Sequence, residues 1–241
     1  MNQTADSKDV LVAGVDGCRG GWVVVTARSP GDGRLALVAV SVAADFESLL
    51  ALTRDCAAVA VDIPIGVNAD WGRQADFEAR KRLGSPRSSS VFPVPPRLLL
   101  QTSSYREANA LSWRVFGRGL PAQAYGIMAK IREADQSMRP EFQDRVVESH
   151  PEVCFWSLAG DEPLLLSKRT PQGREARRRL LETVYGNSMR DWTPPRGAAW
   201  DDLYDACVLA WTASHVAAGT AVHLPRAPQR DERGLRMEIV Y

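Results

Sequence analysis

VLVAGVDGCRGGWVVV, residues 10–25, decides the fold. Val10, Leu11, Val12, Ala13 and Val15 are apolar and mostly β-branched, the pattern of a strand buried on both faces, and they deliver Asp16 to its end just before Gly17. Gly17, Gly20 and Gly21 permit a sharp reversal, after which Trp22 to Thr26 reads as a second strand returning beside the first. The product is a hairpin with an acid at its turn. Asp16 has two readings: a turn residue bonding its own backbone, or a carboxylate placed for chemistry. Other acids converging on it would favour the second.

Outward from the hairpin, Ser29 to Arg34 is a turn cluster and Leu35 to Val42 a third strand. Asp45 caps a helix over Phe46 to Thr53, and Ala57 to Val61 is a short buried strand ending in Asp62 before Pro64 and Gly66. A helix between strands three and four implies a crossover that sets strand four parallel to strand one. Asp62 then shares an end of the sheet with Asp16, the end where open α/β sheets bind ligands. Its plain alternative is a strand-terminating residue before a proline turn.

Residues 71–143 read as a basic helical insertion inside one domain spanning 1–241, with 1–9 a disordered tail. The insertion holds a charged helix from Arg73 to Leu83, a Pro- and Ser-rich loop from Gly84 to Arg97, and helices over Ser104 to Val115 and Pro121 to Ser137. Arg87 and Arg97 are candidate phosphate contacts if the loop is not a solvated linker. Lys130 either points back toward the acids or lies on a solvated face, and Arg19 in the first turn is a further substrate-binding candidate.

Arg145 to Glu148 is the next strand, making Glu148 a third acid at a strand end. Ser149 and Glu152 match the S-x-x-E capping box, which makes Glu152 a cap, and His150 in that first turn is a candidate base, metal ligand or substrate contact, or merely a partly buried residue. Lys168, Arg169, Arg174, Arg177, Arg178 and Arg179 suit phosphate contacts or a solvated face, on a helix within Ser167 to Val184. The last helix, Asp201 to Ala218, opens with Asp201 or Asp202 as N-cap and carries Asp202 and Asp205 as neighbours on its buried stripe. Ile239 to Tyr241 ends the chain as a strand joining either its own sheet or a partner's.

At 241 residues the chain can bury roughly 70 to 75% of its unfolded surface in one core. A net charge of +1 leaves no global pull on nucleic acid, so such binding needs local basic patches. No apolar run reaches the 18 residues of a membrane span, and the polar start lacks a signal-peptide core, so a cytoplasmic protein with no membrane partner is expected. Cys18, Cys56, Cys154 and Cys207 are too scattered for a zinc motif and read as reduced and buried.

Carboxylates brought together repel by about 4 kcal/mol per pair at 4 Å and an effective dielectric of 20, so they need protons or cations. Mg2+ or Mn2+ suits oxygen donors, and a pair of such ions supports phosphoryl displacement. Strand-strand-strand-helix-strand, with acids ending strands one and four, resembles the ribonuclease H-like fold: a mixed five-stranded sheet flanked by helices, here with a helical insertion after strand four. The acids opening the last helix are similar to those of Holliday-junction resolvases. GVDGCRGGW (14–22), DIPIG (62–66), SSVFPVPPR (89–97), VESHPEV (147–153) and GLRMEIVY (234–241) together resemble the domain-of-unknown-function family four-twenty-nine, described as a predicted nuclease of that fold. Asp62 stands where a fourth-strand glutamate is common, and the insertion exceeds that of a minimal ribonuclease H.

The resemblance implies a divalent-metal-dependent nuclease or phosphodiesterase acting on nucleic acid or a phosphate ester. Asp16, Asp62, Asp202 and Asp205 would be metal ligands and Glu148 an added ligand or orienting base. The alternatives are a nucleotide-dependent phosphotransferase of actin-like or sugar-kinase type, which at this length needs a homodimer to form its cleft, and a non-enzymatic binding module.

Overall fold

The computed structural model describes residues 9–31 and 33–241, with only the backbone at 187, 188 and 190; most of the expected tail, residues 1–8, lies outside. Three strands form a meander: β1 (Val10–Cys18), β2 (Gly21–Ser29) and β3 (Ala36–Ala43). Helix α1 (Phe46–Leu52) crosses to β4 (Ala58–Val61), its first turn capped by Asp45, which accepts from Ser48 N at 2.7 Å. Then come α2 (Gln74–Leu83), α3 (Tyr105–Phe116), α4 (Ala122–Gly126), α5 (Met128–Ser137) and β5 (Val146–Glu148). The chain closes with α6 (Pro151–Leu158), α7 (Pro171–Tyr185), α8 (Trp200–Ala218), β6 (His223–Arg230) and β7 (Arg236–Val240).

The main sheet runs β3-β2-β1-β4-β5. β1 pairs antiparallel with β2 and parallel with β4, and β4 parallel with β5, which is the mixed ribonuclease H-like order expected from the sequence. The last strand belongs to its own chain: β7 pairs with β6 in a separate hairpin, with His223 opposite Val240.

Strand alternation sorts the core into two layers. Val12 and Cys18 of β1 pack with α6, α7 and α8, whereas Ala13 and Val15 pack with α1 and α5. Gly14 lies on the α8 side, where an added Cβ would sit 2.0 Å from Ala206 O and 2.1 Å from Ala210 N. Helix and strand backbones therefore touch, which only glycine against alanines allows. That closeness carries the start of α8 to the end of β1.

Four boundaries depart from the expectation. β1 continues past Asp16 to Cys18, and the reversal is the two-residue Arg19–Gly20 turn, since Cys18 pairs with Gly21. The segment after Pro121 is two helices, α4 and α5, meeting at Ile127. Ala199, not an aspartate, is the N-cap of α8, and Asp202 Oδ2 reaches back to accept from Ala199 N at 2.8 Å. α7 starts at Pro171, because Thr170 Oγ1 accepts from Gly173 N and proline fits the first helical position. All four cysteines are buried and unpaired. Among the described residues no helix is long and apolar enough to cross a membrane.

Candidate active site

Three chain segments bring four acids together. In β1, Asp16 lies on the α8 face, two residues on from Gly14, and Asp16 Oδ1 accepts from Gly17 N at 2.7 Å. The β1/β4 ladder extends one step past β4, Asp62 N donating to Val15 O at 2.9 Å, and alternation from Ala58 and Ala60 turns Asp62 to the same face. α8 contributes Asp205, 1% exposed, and Asp202, half-buried one turn earlier. Asp16 itself is 7% exposed.

Among the described residues one cation pairs directly with them, and a second, Lys130, acts on Asp202 by its charge. Lys168, in the loop before α7, donates to Asp205 Oδ2. Burial alone would depress its ammonium, but the charges of Asp205 and Asp16, with the Asp205 hydrogen bond, overcome this and push its pKa up. Burial first, then the charges of Asp62 and Asp205, pushes the Asp16 carboxyl well above the usual carboxylate range. Asp205 is raised by burial and pulled back by Lys168, and Asp202 is raised by burial against its Ala199 hydrogen bond. The site is short of positive charge.

Glu148 is not brought to this group. Val147 packs in the α8 layer and Val146 in the opposite one, so alternation turns Glu148 away from Asp62. It accepts from Arg73 Nη2 at 2.6 Å and Ile65 N at 2.7 Å. Its burial pushes the carboxyl up to about 8, with Arg73 opposing. Glu152 does not cap α6 either: the N-cap is His150, Ser149 Oγ donates to Val240 O at 2.5 Å, and Glu152 takes the buried Arg177 at 2.5 Å.

The basic candidates also separate. Arg19 is exposed on the hairpin turn. Arg97 is held by Asp135 at 2.6 Å, Asp231 at 2.5 Å and Glu232 at 2.9 Å, so its expected phosphate contact is replaced by a structural clasp. Lys130 approaches from the other face: its stem lies against Gly17, and its Nζ donates to Gly21 O at 2.6 Å over the Trp22 ring. On α7, Arg178 and Arg179 pair with Glu175. Arg87 donates to Leu164 O and Leu165 O, latching the proline-rich loop to the segment that carries Lys168.

Beside the acids opens a cleft of about 380 Å³, lined by Asp62, Arg87, Phe92, His150, Lys168 and Arg169 among others. Asp62 and Lys168 face both cleft and acid group. Sequence reasoning missed Lys168 as the counter-ion and Arg73 as the partner of Glu148. A lone lysine in a loop and an arginine ahead of a helix carry no local signal for either role.

The donor set suits a hard divalent cation: all-carboxylate oxygens, excess negative charge, and a buried Asp205 Oδ1 without a hydrogen-bond partner. Among the described residues, no three His, Cys, Asp or Glu side chains are gathered closely enough to grip an ion as they stand, and Lys168 occupies one side of Asp205.

A family model described as "Protein of unknown function (DUF429)" matches residues 14–230. No curated protein matches the chain. Among solved structures it is similar to one titled "Thermus thermophilus RuvC structure", at 16% identity over 87% of this chain and 97% of that one, TM-score 0.40. It is also similar to one titled "T. thermophilus RuvC in complex with Holliday junction substrate", at 15% identity over 88% and 97%, TM-score 0.36.

Proposed function

The chain belongs to the DUF429 family, and from that premise we propose that it is a divalent-metal-dependent phosphodiesterase or nuclease. The single observation that carries this reading is the meeting of Asp16, Asp62 and Asp205 at the carboxyl ends of β1 and β4, where burial first and then the charges of Asp62 and Asp205 drive Asp16 toward its protonated form. Structural ion pairs balance charge, whereas this group leaves it unbalanced, as a site awaiting a cation does.

Asp16, Asp62, Asp202 and Asp205 would hold Mg2+ or Mn2+, and Glu148 is left out of the set. When bound, such an ion would polarise a water for attack and stabilise the charge on the leaving oxygen. The chain's own residues do the rest. Lys168 neutralises Asp205 and, turned toward the cleft, offers its ammonium to a phosphate oxygen. Arg169 and Arg87 line the same cleft and favour an anionic substrate. The segment between β4 and β5 supplies the wall that carries Phe92, so it shapes substrate entry.

Calorimetric titration with manganese tests this directly. Wild type should bind in the micromolar to millimolar range, and Asp16→Asn and Asp205→Asn should each lose binding together with any hydrolysis of nucleic acid or phosphodiester substrates. Wild-type affinity in both variants would overturn the reading.

A further inference from the structure

We propose that the cleft beside Asp62 is a nucleobase pocket, which takes one unpaired nucleoside phosphate with its heterocycle inside and its phosphate toward the acids. This rests on the phosphodiesterase reading for the phosphate end, while the base end has its own evidence. The walls include Ile63, Val94, Ile127 and Ile239, surfaces that a sugar phosphate alone would leave unsatisfied and a flat heterocycle covers. Phe92 lines the cleft while 41% exposed, the position of a stacking platform rather than of a core residue.

Polar groups for the base edge are present, and one of them is spare. His150 Nδ1 is buried without a hydrogen-bond partner, and its Nε2 lies 3.4 Å from Ser90 O. Ser90 and Asp76 face the same space. A lipid would bury these polar groups uncompensated.

The cleft's shape restricts the substrate further. Its walls come from the end of β4, α2, the proline-rich loop, Ile127, the β5–α6 junction, the Lys168 loop and β7, so it is a partly open cleft walled by several segments, with its apolar surface inside. A base held in a duplex cannot enter; a free nucleotide or an unpaired strand position can. Asp62 lines both spaces, so a base in the cleft leaves its phosphate within reach of the acid group.

Calorimetry on the full chain tests the proposal with four probes: adenosine 5′-monophosphate, ribose 5-phosphate, an unstructured single-stranded tetranucleotide and a blunt duplex. The monophosphate should bind roughly tenfold or more tightly than ribose 5-phosphate, the scale of one base stacked on one aromatic ring. Phe92→Ala should remove most of that difference while leaving manganese affinity unchanged, and His150→Ala should weaken the monophosphate without weakening ribose 5-phosphate. Tetranucleotide binding equal to the monophosphate identifies strand ends as the source, and monophosphate binding alone identifies free nucleotides. Equal affinity for monophosphate and ribose 5-phosphate, a tightly bound duplex, or an unaffected Phe92→Ala variant would overturn the pocket. If nucleotides bind as expected but manganese does not, the pocket stands and the phosphodiesterase reading falls. If manganese binds and the base adds nothing, the reverse holds.

Discussion

Two groups of buried acids lie at the same end of one sheet and behave oppositely. On the α8 face, Asp16, Asp62, Asp202 and Asp205 have Lys168 paired to Asp205 and the charge of Lys130 acting on Asp202, and Asp205 Oδ1 is left without a partner. Across the cleft that Asp62 also lines, Glu148 and Asp76 meet Arg73, which is 1% exposed; Glu148 also accepts a backbone N–H, while Arg73 Nε and Nη1 have no hydrogen-bond partner. Each acid group follows the strand ends; the charge opposite it separates them. The more closely matched of the two, one arginine between two acids, holds its loop in place, whereas the less matched one costs stability and retains affinity for a cation.

The largest expected effect breaks the matched side. Arg73→Met leaves Glu148 buried without its partner and should cost about 3–5 kcal/mol in denaturant unfolding, with Glu148→Gln in the same chain restoring part of it. A cost below about 1 kcal/mol would show that Arg73 is not what balances this face.

Next in size is the contact that builds the unmatched side. Gly14→Ala drives a methyl into the α8 backbone at Ala206 and Ala210, a loss of about 1–3 kcal/mol or more, since no side chain can give way. Because the helix must move, manganese affinity should fall with it. Stability lost at unchanged affinity would mean that the β1–α8 distance does not set the acid spacing.

The smallest effect separates the faces by pH. The native Glu148 carboxyl, at about 8 against 4.5 for an ordinary glutamate, holds its proton more tightly than the unfolded chain does. Native protein therefore binds more protons between those values, and stability falls as pH rises from about 4.5 to 8. Glu148→Gln should flatten that decline. Asp16→Asn acts in the same sense on the other face and should raise Tm at pH 7.5 by about 2–4 °C for each kcal/mol of repulsion relieved. A lower Tm in Asp16→Asn would mean that Asp16 is compensated after all.

Much of the sheet was legible because the signals are local. Apolar runs closed by Asp-Gly and Asp-x-Pro mark the ends of strands one and four, and the helix before Ala58 implies the parallel crossover. The DD-x-x-D opening of the last helix places two acids on one stripe, and the structure sets Asp205 against Asp62 and Asp16. Glu148 was misplaced for a reason just as local. A three-residue apolar strand gives no polar alternation in sequence from which to read its face; the layers that Val146 and Val147 join, and its register against Val61, show which way it turns. Ser149-His150-Pro151-Glu152 fits a capping box by spacing alone, yet Arg177, 25 residues on, claims the glutamate.

The local sequence was enough for the three-strand meander, the parallel crossover to strand four and which acids close which strands, because period, turn chemistry and crossover handedness act over a few residues; the place of β5 beside β4 and the β6–β7 hairpin came from tertiary pairing. Tertiary structure alone decided the charge opposite each acid. Lys168 and Arg73 reach their partners across 37 and 75 residues of chain, through a backbone contact at Gly14 and a side chain buried beneath a loop. Pairings of that range are set by packing geometry, which no local pattern encodes.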